Sequence, residues 1–164
     1  MNNFTHVSKI ILLTTLALLL AHIRLEAGEN ATDAAELIRE MYKTDRRTFL
    51  TEEMRLTERE SAVFWPLYQS YRAEMEKLGD SLLKLVLEYA DVYPDVPEER
   101  AEKMLKDYTE LERKIVDTRS RYMKRAAKDV SATKALRWAQ LENRMDLGLR
   151  LQLASTVPLV PSNP

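Results

Sequence analysis

The chain has 164 residues, 25 basic and 26 acidic, with no cysteine and only three glycines. Near-balanced charge argues against a nucleic-acid binder or an anionic-surface binder by net charge. The lack of cysteine removes disulfide staples and thiolate chemistry, and the composition suits an all-α chain that buries one core of its own.

Residues 1–27 read as an export segment. Lys9 precedes an apolar run from Ile10 to Ala21, and a short polar stretch ends Leu25-Glu26-Ala27, where a small residue suits cleavage. The rival is a retained N-terminal anchor. A spanning helix needs roughly 20 apolar residues, and the run to Ile23 is shorter and contains Thr14 and Thr15. Cleavage after Ala27 removes Lys9, Arg24, Glu26 and both histidines, His6 and His22, leaving 23 bases and 25 acids. Residues 28–164 then form one helical domain with an extended C-terminal tail, in the periplasm or secreted.

A first helix is expected over about 32–54, with Ala34, Leu37, Ile38, Met41, Tyr42, Phe49 and Leu50 on one face and Asp45, Arg46 and Arg47 interrupting it. Thr57 and Glu60 make a capping box that opens a second helix, about 58–92. Phe64, Tyr68, Tyr71, Met75, Leu78, Leu82, Leu85 and Tyr89 follow at alternating steps of four and three, a heptad seam of coiled-coil type. Pro66 lies inside this pattern and should bend the helix. Pro94 and Pro97 separate it from a third helix, about 97–129, for which Asp95 and Glu98 suggest a capping pair.

The third helix repeats the seam through Ala101, Met104, Tyr108, Leu111, Ile115, Thr118, Tyr122 and Ala126. Its solvent face offers acid-before-base pairs at four-residue spacing: Glu99–Lys103, Glu102–Lys106, Glu110–Lys114 and Asp117–Arg121. Two long seams joined by a short Pro-rich turn predict an antiparallel helical hairpin. Ser131 can cap a fourth helix, about 132–154. Leu147, Leu149, Leu151 and Leu153 alternate like a strand there, but no other segment offers a strand partner, so helix is preferred, with Gly148 marking a close approach. The apolar tail Val157-Pro158-Leu159-Val160-Pro161 should lie along the bundle.

Chemistry is constrained by what export leaves behind. Without histidine or cysteine, nucleophilic triads and the usual zinc, copper and haem sites have no ligands or bases. No catalytic residue, metal ligand or cofactor is assigned. Met75 and Met104 read as gap-filling core rather than soft-metal ligands. Charge is polarised: residues 87–112 carry a net of −6 and residues 113–137 a net of +7. Arg113, Lys114, Arg119, Arg121, Lys124, Arg125 and Lys128 are therefore a candidate basic docking surface, set against the plainer account that acids at a helix start and bases at its end suit the helix dipole. Trp65, Tyr68, Tyr71 and Trp138 should pack together where the hairpin meets the fourth helix; the alternative is an exposed aromatic patch.

Leu56-Thr57-Glu58-Arg59-Glu60 resembles the LTxxQ signature of the Spy/CpxP group of bacterial periplasmic helical proteins, with Glu60 in place of the glutamine and no second copy. That resemblance implies a stress-response chaperone or adaptor whose helical hairpins dimerise into a client-binding cradle. A longer pattern includes Leu56, Thr57, Glu60, Phe64, Trp65, Pro66, Tyr68 and Tyr71, then Arg137, Gln140, Glu142 and Asn143. It is similar to a largely uncharacterised family of small, secreted bacterial helical proteins.

The leading expectation is a non-enzymatic periplasmic interaction protein, a chaperone or envelope-stress adaptor. Its partners would be proteins or unfolded clients, with a homodimer through hairpin faces, rather than nucleic acid or, less favoured, a membrane surface. An accessory subunit of an envelope complex is the alternative. A metal-responsive sensor comes third, with no His or Cys ligand left to it.

Overall fold

The structure, a computed structural model, describes residues 28–40 and 46–162. The expected export segment lies outside these residues, as do Met41, Tyr42 and Asp45 of the first expected helix. The described residues form five helices and no strand, an all-α fold. They are α1 (residues 28–40), α2 (Arg47–Met54), α3 (Glu58–Val92), α4 (Glu98–Asp129) and α5 (Ala132–Thr156).

The expected single helix over 32–54 is not continuous. Arg46 leaves helical geometry (φ −100°, ψ 7°) and α2 begins afresh behind it. The reason is chemical, since the Arg46 side chain turns inward to acids of α5. Arg55 then closes α2 in the left-handed region at φ 46°, a conformation uncommon for a residue with a Cβ.

The capping box of α3 forms as read: the Glu60 N–H donates to Thr57 Oγ1 at 3.3 Å, and the Thr57 N–H donates to Glu60 Oε2 at 2.8 Å. α3 runs on through Pro66, which is exposed, so the Ala62 carbonyl that loses a donor there can turn to water. Ser131 caps α5, accepting from the Lys134 N–H at 3.2 Å. At α4 the expected Asp95–Glu98 cap is absent. Pro97 is itself the residue before the first turn, and no side chain caps it.

Cross-helix contacts define the topology. Lys103 near the start of α4 meets Glu88 near the end of α3 at 3.5 Å, while Arg121 and Tyr122 meet Glu74, so α3 and α4 run in opposite directions. α5 returns along α4, with Arg119 on Asp146, and parallel to α3, with Tyr71 on Glu142 and Tyr89 on the Pro158 carbonyl. α2 runs against α5: Arg137 pairs with Glu53, and Lys134 Nζ donates to the Met54 and Arg55 carbonyls at 2.9 and 2.7 Å. The result is an antiparallel bundle whose first strand is broken into α1 and α2.

One contiguous core runs through it, from Ile38, Leu50 and Met54 to Phe64, Tyr71, Met75, Leu111, Ile115, Tyr122, Trp138 and Leu141. Tyr108, expected on the seam, is exposed. α5 ends at Thr156, and the tail beyond it reaches α3, where the Tyr89 hydroxyl donates to the Pro158 carbonyl at 2.9 Å.

The leucine alternation near the end of α5 resolves into two helical pairs. Leu149 and Leu153 pack against the core, and Leu147 and Leu151 face solvent. Gly148 marks no close approach, because a Cβ built there meets nothing within 4 Å. Of the tail, Val157 and Pro158 are half-buried but Leu159 and Val160 stand in the open. Gly148→Ala should therefore raise stability by about 0.5–1 kcal/mol, since alanine removes backbone freedom from the unfolded chain and is a better helix former. Urea unfolding checks this; a loss of stability would mean that the site is crowded.

Candidate functional site

The most constrained polar site lies in the core. Residues 135, 138, 141, 142, 145, 146 and 149 share the inward face of α5, and two of them are acids, Glu142 and Asp146, only 2 and 3 % exposed. Arg46 reaches both: its Nη1 donates to Asp146 Oδ1 at 2.6 Å and to Glu142 Oε2 at 3.4 Å. Arg119 from α4 donates to Asp146 Oδ2. Glu142 also accepts from the Tyr71 hydroxyl and from Trp138 Nε1, each at 3.2 Å. Two carboxylates and two guanidiniums thus join the connector before α2 with α3, α4 and α5.

Burial pushes the Glu142 carboxyl above the ordinary glutamate range, and Arg46 only partly offsets this. Desolvation pulls the Arg46 guanidinium down, but Asp146 and Glu142 outweigh it and the net shift is upward. Tyr71 is held far above a free phenol, by burial first and by Glu142 second, so it remains a donor.

The aromatic residues of the motif wrap this cluster. Trp138 meets Phe64, Tyr68 and Tyr71 edge-on at 5.1–5.9 Å between centroids, and Tyr71 meets Tyr122 at 5.6 Å. Trp65 lies at the margin, half-buried, with the Arg47 guanidinium over its ring at 4.7 Å. The structure thus brings Phe64, Trp65, Tyr68, Tyr71 and Glu142 together. Leu56 packs against the core's edge, Thr57 and Glu60 cap α3, Arg137 holds Glu53, and Pro66, Gln140 and Asn143 face solvent.

The proposed basic surface is dispersed. Arg119 turns inward to Asp146, Arg121 crosses to Glu74, Arg113 pairs with Asp117 at 3.7 Å and Arg125 with Asp129 at 3.3 Å. Only Lys114, Lys124 and Lys128 of the seven remain exposed without an ion pair. The four expected acid-before-base pairs do not form. Lys103 takes Asp107 and Glu88 instead, and Arg121 takes Glu74. Asp91, Asp95, Glu98, Glu99, Glu102, Glu110 and Glu112 consequently carry no ion pair. The acidic end, not the basic one, keeps the larger unpaired charge.

Reading the sequence for exposed charges missed Arg46, Asp146 and the inward role of Arg119. The signal was there, because acids at 142 and 146 share the face of Trp138 and Leu149, and a buried carboxylate needs a partner. Among the described residues no group of three or more His, Cys, Asp or Glu could hold a metal ion, and no helix is long and apolar enough to cross a membrane. Compared with protein-family models, curated proteins and solved structures, the chain finds no match. Fold and site together define a helical bundle locked by a buried arginine–carboxylate cluster.

Arg46→Ala leaves both carboxylates short of a cation and should cost about 3–5 kcal/mol in urea unfolding; a loss below about 1 kcal/mol would mean that the pair is replaceable by water. Glu142 binds its proton more tightly folded than unfolded, so its contribution is full at low pH and fades as pH rises through its folded pKa. The stability of the parent relative to Glu142→Gln should therefore grow as pH is lowered from neutrality toward the ordinary glutamate range. A gap that shrinks on acidification would show that the carboxyl is held ionised.

Proposed function

We propose that the protein is a non-enzymatic interaction protein of the bacterial envelope, exported by residues 1–27, that holds unfolded or partly folded clients in the manner of a chaperone or stress adaptor. The observation that carries this reading is the apolar surface left open on the two long outer helices. Leu105, Tyr108 and Val116 of α4 are 47–65 % exposed, and Leu136, Leu147 and Leu151 of α5 are 62–72 % exposed. Scattered single apolar residues are ordinary on a surface, but a file of them along helices that already have a packed face favours a partner.

The polar groups point away from chemistry. Both carboxylates buried on α5 are bound to arginines. An open groove of about 350 Å³ is walled by Glu40, Arg46, Arg144, Met145, Gly148, Leu149 and Gln152, with one carboxylate on its rim. Paired acid–base catalysis needs two carboxyl groups facing a substrate from opposite sides.

A second reading, an accessory subunit of an envelope complex, draws on the three unpaired lysines in the basic half of α4. Reversing Lys114, Lys124 and Lys128 to glutamate would then abolish recovery of a co-purifying partner.

Client holding is tested by diluting a chemically denatured protein into buffer with near-equimolar purified protein and following light scattering. Aggregation should fall by at least about half, while a charge-matched inert protein has no effect. An unchanged scattering curve sinks the chaperone reading.

A further inference from the structure

The exposed apolar residues of α4 are interleaved with acids on one ridge. Glu98, Glu102, Leu105, Tyr108, Glu112 and Val116 follow at steps of four, three, three, four and four, which keeps them on one side of a helix. Apart from Tyr108, four residues after Met104 and three before Leu111, that side is separate from the face α4 buries through Met104, Leu111, Ile115, Thr118 and Tyr122. It borders the seam with α5, because Arg119, one turn beyond Val116, reaches Asp146. On α5 the residues flanking that height and facing outward are Leu147 and Leu151, 63 and 72 % exposed. Exposed apolar side chains are thus present on both helices that make this seam.

Charge selects the occupant. None of the three ridge acids has an ion pair, whereas Lys103, Arg113, Arg121 and Arg125 on the other sides of α4 are paired within the molecule. Arg150, next to Leu151 on α5, is a half-buried base. An apolar strip lined by unpaired carboxylates rejects acidic segments by like-charge repulsion and attracts segments that alternate bases with apolar residues. We infer that the α4 ridge with Leu147 and Leu151 is a docking surface for cationic amphipathic segments, such as an exposed Lys- or Arg-flanked apolar helix of a client. This rests on the client-holding reading and names the class of segment held.

The probe is a labelled synthetic helical peptide of leucine and lysine, compared with its leucine–glutamate counterpart, titrated with the purified protein and followed by fluorescence anisotropy. The lysine peptide should bind at least about tenfold more tightly, and added salt should narrow that gap. Glu98→Lys with Glu102→Lys and Glu112→Lys should invert the preference. Leu105→Ser with Val116→Ser, both at exposed positions, should weaken the lysine peptide without changing the unfolding midpoint.

Equal affinity for the two peptides overturns the inference, as does a preference untouched by the triple reversal. A protein that is dimeric in solution and becomes monomeric on that reversal also overturns it, since the ridge would then be covered by a second copy. Aggregation suppressed without any peptide preference would leave the client-holding reading standing and remove this surface from it. A selective ridge without aggregation suppression would do the reverse.

Discussion

Glu142 and Asp146 lie one helical turn apart on the buried face of α5, and neither can stay there as a bare carboxylate. Taking an uncompensated charge out of water costs several kcal/mol even after relaxation. The fold answers from several directions, with Arg46 ahead of α2, Arg119 on α4, and Tyr71 and Trp138 as neutral donors. Each partner is usable only if its helix stands at one height and one rotation relative to α5. A slip of a single residue on α4 would turn Arg119 away from Asp146, and one on α5 would take Asp146 from both Arg119 and Arg46. Apolar side chains alone tolerate such slips far better, so the cluster gives this bundle its register.

The same requirement explains the break in the first strand of the bundle. A helix continued through Arg46 would be favoured by local propensity. The side chain instead turns in toward α5 and the backbone leaves helical geometry there. α2 is then secured by Glu53 on Arg137, by Lys134 across the Met54 and Arg55 carbonyls, and by Leu50 and Met54 in the core.

Charge behaves differently outside the core. α4 starts acidic and ends basic, and its residues have two kinds of partner: neighbours on the same helix and groups on α3 and α5. The basic half lies beside α3 and α5, where Glu74 and Asp146 are waiting, so its arginines are largely neutralised. Of the carboxylates in the acidic half of α4, only Asp107 finds a cation, Lys103. A nearly neutral chain thereby acquires one end with unpaired acids beside open apolar residues, which is the physical basis of the client class inferred above.

Much of the bundle was legible in the residues themselves. Helix existence, the Thr57–Glu60 and Ser131 caps and the heptad spacing of Phe64, Tyr68, Tyr71 and Met75 are local or periodic properties, and one stretch of chain carries all the information they need. So was the meeting of Tyr68 and Tyr71 with Trp138, because apolar faces of that size must be buried against each other. What tertiary structure alone decided was the partner of each charge. Arg46, Arg119 and Asp146 look from the sequence like members of solvated runs, and Tyr108 looks like seam. Whether such a residue is paired, buried or left open depends on which helix passes beside it and where that helix stops. Those distances join residues up to 100 positions apart, and helical periodicity carries no information about them.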